Sequence, residues 1–228
     1  GLYFYLDNPE NAGIEAPQVF KYPKWRPAQM LYFCESKNVT VRNIRLYNSP
    51  QWSCFFLGCE NVLATQIRIR NDWRGHNNDG IDIEMTSHAI VENCRFDQGD
   101  DAVVLKAGRN QDAWRLATPT EKIVIRNCEV IQGHCLMGIG SEMSGGVRDV
   151  YMHDCHASDS LLRMFYLKTN HRRGGFIENI TMENVSAASM QRAFEIDTDV
   201  MYQWRTIVPT FETSITRIRN ITLRGAEC

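Results

Sequence analysis

The 228 residues are enough to bury a substantial core as one domain, and 43% of them are hydrophobic. With 25 Lys and Arg against 27 Asp and Glu the net charge is −2, so nothing global draws the chain to nucleic acid or to a membrane surface. No apolar run approaches the roughly 18–20 residues that span a bilayer, and the eight Cys include no C-x-x-C pair of the kind zinc and redox sites use.

The Cys read mostly as reduced, buried small hydrophobes. The chain does not begin with Met and opens on no signal-like stretch, which reads as a processed chain or a piece of something longer. In chain order, seven segments resemble one another. They are "NVTVRNIRL" from Asn38, "NVLATQIRI" from Asn61, "HAIVENCRF" from His88, "KIVIRNCEV" from Lys122, "DVYMHDCHA" from Asp149, "NITMENVSA" from Asn179 and "NITLRGAEC" from Asn220. Their starts differ by 23, 27, 34, 27, 30 and 41 residues. The second position is Val, Ile or Ala. The sixth is Asn43, Gln66, Asn93, Asn127, Asp154, Asn184 and Gly225 in turn.

A period of this size signals a repeat architecture. Within each unit apolar residues alternate and then change phase around the sixth residue, the pattern of a strand, a bend and a second strand. No long segment has helical periodicity. The expected fold is therefore an all-β, right-handed parallel β-helix, one domain over residues 1–228, with coils stacked at about 4.8 Å and Asn43, Asn93, Asn127 and Asn184 at a shared bend. A leucine-rich repeat would need its own Leu spacing, and a propeller a more even period.

Two acidic segments stand out between repeats. "NNDGID", residues 77–82, is followed 21 residues later by "GDDAVVLKAG", residues 99–108. That separation is close to one short coil, so Asp79, Asp100 and Asp101 are expected side by side on one face. A lone Asp in an N-D-G turn is usually structural. Three carboxylates on adjacent rungs repel one another, and such a cluster needs a metal, a shared proton or a catalytic task. Glycoside hydrolysis uses one carboxyl as acid and one carboxylate as base or nucleophile, and calcium also suits three carboxylates. Further along, "GHCLMGIGSE" places His134 about one coil beyond Asp101. "RMFYLKTNHRRGG" adds Arg163, Lys168, Arg172 and Arg173 one coil later, a clamp for an anionic substrate.

Taken together these residues resemble glycoside hydrolase family 28, the polygalacturonases and their relatives. The matching segments are "NNDGID", "GDDAVVLKAG", "GHCLMGIGSE", "LKTNHRRGG" and "NSPQWSCFF" at residues 48–56, in family order from about residue 26 onward. The resemblance implies inverting hydrolysis of α-1,4-galacturonosyl bonds. Asp100 would be the general acid, Asp79 and Asp101 would hold and activate the water, and His134 would sit beside the acid. Asn77, in the same acidic turn, and Tyr166 would bind substrate. Lys168 would bind a galacturonate carboxylate, with Tyr202 of "MYQW" as the active-site Tyr.

Two positions depart from the family. Tyr166 stands where the family has Arg, so that Arg163 or Arg172 would take over its task, and Cys135 stands where the second Gly of Gly-His-Gly is expected. The retained His134 favours polygalacturonate over rhamnogalacturonan. Rung spacing by itself suggests the short carboxyl separation of a retaining enzyme, and only the resemblance favours inversion. Successive strand residues also face opposite ways, so Asp100 and Asp101 both reach a cleft only if the backbone is irregular near Gly99.

The reading implies a pectic substrate, no nucleic acid or membrane partner, a monomer, no cofactor or metal, and a place outside the cytoplasm. It takes the chain as the central, catalytic part of a longer enzyme. The loop "RNQDAWRLATP" at 109–119 leans it toward release from chain ends. Two other readings are a calcium-dependent pectate lyase and a non-catalytic carbohydrate-binding β-helix of the adhesin or tailspike kind.

Overall fold

The structure is a computed structural model and describes residues 28–200 and 213–228. Tyr202 lies outside the described residues. Among the described residues no helix is long and apolar enough to cross a membrane.

The strands run parallel in three columns. The first holds β1 (Leu31–Cys34), β4 (Cys54–Leu57), β7 (Ile81–Glu84) and β10 (Val103–Lys106). The second holds β2 (Lys37–Arg42), β5 (Glu60–Thr65), β8 (Ser87–Glu92) and β11 (Thr120–Arg126). The third holds β3 (Arg45–Tyr47), β6 (Arg68–Arg70) and β9 (Arg95–Asp97). Long strands then bend from column to column: β12 (Glu129–Ile139), β13 (Val147–Lys168), β14 (Phe176–Asp197) and β15 (Arg217–Glu227). One sheet curls through all of these, which makes a parallel β-helix.

The repeat read from sequence is the repeat of the coil. Its second position runs in register through Val39, Val62, Ala89, Ile123, Val150, Ile180 and Ile221. Its first residue has φ between +56° and +58° in all seven units, and its sixth between +49° and +58°. Left-handed backbone costs most side chains energy, and Asn, Asp and Gly tolerate it best. The polar sixth position therefore marks the corner between the second and third columns. Side-chain amides stack there in part: Asn184 Nδ2 donates to Asp154 Oδ1 at 3.2 Å. The first position behaves likewise, with Asn220 Nδ2 on Asn179 Oδ1 at 2.9 Å.

Inward positions form one apolar column per strand, such as Leu46, Ile69, Phe96 and Val130, or Phe56, Ile83, Leu105, Ile139 and Leu167, all buried. All eight Cys are unpaired, and six of them, including the stacked Cys94, Cys128 and Cys155, are buried in this core.

One element departs from the sequence reading. The 109–119 loop contains a short helix, α1 (Asn110–Leu116), where no helix was expected. Seven residues are too few to show a 3.6-residue period. The helix ends on Ala117 at φ +49°, whose N–H bonds the Ala113 carbonyl.

Candidate active site

The site lies where the third column turns back into the first. Residues 71–80 and 98–102 form successive turns there, joined by the bend within β12. Asn71 ties them together. Its Oδ1 accepts Ser49 N at 2.8 Å, and its Nδ2 donates to Ser53 Oγ and to the Asn78 carbonyl. This explains the "NSPQWSCFF" segment, which supplies the neighbouring turn. Asn78 is fully buried and accepts Gly99 N at 2.9 Å, linking the two acidic turns. Asn77 takes φ +50° just before them.

Asp79 and Asp101 are on adjacent rungs, as the spacing of the two segments suggested: Gly80 N donates to the Asp101 carbonyl at 2.9 Å. Asp100 and Asp101 fall between β9 and β10, outside regular strand, which lets both point to one cleft. Asp100 Oδ1 accepts the next backbone N–H, that of Asp101, at 2.9 Å, and the Asp100 carbonyl accepts His134 N at 2.9 Å. Gly99 is needed because the carbonyls of Trp73 and Gly75 crowd the space a Cβ would fill. Gly138 is needed for the site itself, since a Cβ there would lie 2.8 Å from Asp101 Oδ2.

Five side chains then interlock. His134 Nδ1 is 3.0 Å from Asp100 Oδ1. Lys168 Nζ is 2.6 Å from Asp101 Oδ2, and the Cys135 thiol donates to Asp101 Oδ1 at 2.8 Å. Asp101 is 1% exposed and Asp79 4%, so these charges are held largely out of water. Asp79 Oδ1 is buried with no hydrogen-bond partner.

The environments drive the carboxyls apart. Burial, reinforced by Asp100 and Asp82, pushes the Asp79 carboxyl well above the usual range. Burial would raise Asp100 too, but the hydrogen bond and charge of His134, with Lys168 and the Asp101 N–H, outweigh it and hold Asp100 down to about 2. Burial would lower His134, and the Asp100 and Asp101 carboxylates reverse that and raise it. Lys168 is likewise raised, with Asp101 overcoming burial. Burial thus favours a proton on Asp79, and the pairing with Asp100 favours one on His134.

The remaining candidates divide. Arg163 is mostly buried, pairs with Glu195, and lays its guanidinium 4.1 Å from the Tyr166 ring centroid. It thus reaches the place where Tyr166 replaces the family Arg. Lys168 Nζ is 5.1 Å from the same ring, and Tyr166 OH is 3.5 Å from Asp197 Oδ2. Arg172 and Arg173 are not a solvated clamp: they are 5% and 7% exposed. Arg173 Nε donates to the Ser141 carbonyl at 2.6 Å and its Nη1 to Asn110 Oδ1 at 2.9 Å, while Trp114 Nε1 donates to the Arg173 carbonyl. Its guanidinium anchors α1 over this end of the site.

Three residues of the cleft lay in the quoted motifs but were not singled out. Asp82 sits outward on β7 between inward Ile81 and Ile83, fully buried, with neither oxygen hydrogen-bonded. Burial raises its pKa well above normal, opposed by Lys106 3.7 Å away. Lys106 also pairs with Glu142 at 3.2 Å and lies 4.7 Å from the Trp52 ring centroid. Strand alternation, read from the inward Ile81 and Ile83, could have found Asp82.

Asp100, Asp101 and His134 offer ligand atoms within 4.8 Å of one another. Calcium prefers an all-oxygen shell. Here one of the three donors is a ring nitrogen, and both Asp101 oxygens already hold protein donors. Protein cations, not calcium, fit this cluster.

Residues 18–227 match the sequence profile of the glycosyl hydrolases family 28, and the chain belongs to that family. A probable polygalacturonase of Vitis vinifera is 32% identical over 177 residues, which is 76% of this chain and 35% of the relative. An endo-polygalacturonase of Pectobacterium carotovorum is 26% identical, over 81% of this chain and 44% of the relative. The crystal structure of a hyperthermoactive exopolygalacturonase from Thermotoga maritima matches with a TM-score of 0.73 and 34% identity, over 84% of this chain and 43% of that one. The chain thus spans less than half the length of these relatives.

Proposed function

We propose that this chain carries the catalytic rungs of a hydrolase that cleaves α-1,4-galacturonosyl bonds of polygalacturonate and pectin with inversion, working as a monomer outside the cytoplasm. One observation carries the reading: three carboxyls on adjacent rungs, Asp79 and Asp101 buried and Asp100 half-buried, with burial raising Asp79, His134 holding Asp100 down against burial, and Lys168 paired with Asp101. Family membership and relatives named polygalacturonase support it.

In this mechanism Asp100 gives a proton to the leaving oxygen. Substrate closes the cleft to water, which raises the Asp100 carboxyl and draws the proton from His134 Nδ1 onto Oδ1. Asp101, held by Lys168 and Cys135, and Asp79 on the adjacent rung orient the attacking water. The free donors of the Lys168 ammonium, with Arg163 against Tyr166, face the substrate carboxylate. Release from chain ends is supported by α1, pinned by Arg173 over one end of the site, and by the likeness to an exopolygalacturonase.

A second assignment of roles has its own observation. Burial favours the protonated form of Asp79, while His134 favours the ionised form of Asp100 against burial. Asp79 would then be the acid and Asp101 the base.

The test is a reducing-end assay on polygalacturonate, with products separated over time. Hydrolysis that yields monomer or one fixed short product from the start supports the proposal. Early mixed oligomers overturn terminal release, and absence of new reducing ends, or unsaturated products absorbing in the ultraviolet, overturns hydrolysis.

A further inference from the structure

The third column carries a feature that the cleft does not use. Arg45, Arg68 and Arg95 stand in register on β3, β6 and β9, all exposed. Like charges directly opposite on neighbouring strands destabilise a sheet. Only Arg95 is relieved, by Glu129 at 3.2 Å. Among the described residues Arg45 and Arg68 have no carboxylate partner. The three arginines line a groove of about 890 Å³, floored by the corner amides Asn43, Gln66 and Asn93.

The same outward face continues two residues along each strand, through Tyr47 and Arg70, into a second hollow that ends at Trp73. Trp73 is 63% exposed, a large apolar ring left in water. It also lines the next hollow, which reaches His134. Basic and aromatic side chains therefore run from the edge of the catalytic cluster over the outside of the third column, with Asp97 facing Arg70 at 3.7 Å and Asp72 in the second hollow.

We propose that this face is a second, non-catalytic binding site for an acidic polysaccharide chain. Arg45 and Arg68 would take carboxylates from sugars about one rung, ~4.8 Å, apart, and Trp73 would stack a sugar where the polymer leaves the cleft. The chain has a net charge of −2, so long-range attraction for a polyanion is absent and capture needs such a local basic strip. This inference rests on the proposed substrate class. It adds a surface that holds the polymer without cutting it.

The experiment compares Arg45→Gln/Arg68→Gln with the unchanged protein. Gln keeps a polar side chain, and removing stacked like charges does not threaten folding. In the Asp100→Asn background, retention in a polygalacturonate-containing gel should fall about tenfold in apparent affinity for the double variant. The difference should shrink with added salt. With Asp100 intact, KM on polygalacturonate should rise about tenfold, while kcat and KM on digalacturonate or trigalacturonate stay unchanged. Equal polymer retention by both proteins overturns the second site and leaves the catalytic reading standing. Equal losses on polymer and on short substrate also overturn it, since they place the arginines' effect in the cleft or in folding. Failure of the unchanged protein to cleave polygalacturonate overturns both readings.

Discussion

The Cys135 thiol donates a hydrogen bond to Asp101 Oδ1 at 2.8 Å, while Lys168 Nζ holds the other oxygen at 2.6 Å. Asp101 is thus fixed at both ends, at the position where the sequence departs from Gly-His-Gly. Cys135→Ala leaves a buried carboxylate oxygen without its donor, which costs about 1–3 kcal/mol. A loss of about tenfold in kcat is expected, with KM little changed. Cys135→Ser keeps a donor and should restore most of the rate. Steady-state kinetics of the two variants decide it: equal losses would show that the thiol only fills space.

Lys168 was read from sequence as a reader of the substrate carboxylate. The structure first makes it the partner of a buried Asp101. Lys168→Ala therefore strands a buried charge, and breaking such a pair costs about 3–5 kcal/mol. Thermal melting should show that loss, and activity should fall on methyl-esterified pectin as well as on polygalacturonate. A variant with unchanged melting that fails only on the unesterified polymer would return Lys168 to substrate binding alone.

The two assignments of the acid separate on an aryl galacturonide. A good leaving group needs little protonation, so the variant lacking the acid keeps its rate there and loses it on polygalacturonate. Asp100→Asn should behave this way and Asp79→Asn should fail on both substrates; the reverse pattern would make Asp79 the acid. The pH profile adds a check. His134 is raised, so the proton it shares with Asp100 is lost as pH rises through that value, and activity falls there. His134→Asn should move this alkaline limb to lower pH. Stability has the opposite sign at Asp100. Its depressed pKa stabilises the fold above about 3.9, the unfolded value, and that contribution is lost as pH falls toward about 2.

How much of this was legible depends on how local the signal was. The first and sixth repeat positions adopt left-handed backbone, a demand one residue makes on its own, and Asn, Asp or Gly answered it in sequence at eleven of the fourteen positions. The adjacency of Asp79 and Asp101 followed from coil length. The burial of Arg173 did not follow, because it depends on α1 folding over it from about 60 residues earlier in the chain. Asp82 was hidden by attention to Asp79, although alternation placed it outward on the same rung.

The anchoring of α1 makes its own prediction. Trp114→Phe removes the indole donor to the Arg173 carbonyl, and the helix should loosen without loss of the catalytic groups. If α1 closes one end of the groove, early products should shift from a single short sugar toward mixed oligomers. An unchanged product profile, with hydrogen exchange showing that the helix has loosened, would mean that α1 does not set where the polymer is cut.

The most direct test of the central claim is proton NMR of an oligogalacturonate digest, recorded before mutarotation scrambles the new reducing end. The account predicts hydrolysis with the β-anomer appearing first, and none of it with Asp100→Asn. A first-formed α-anomer would contradict inversion and vindicate the short rung spacing, and a spectrum without any new anomeric signal would contradict hydrolysis itself.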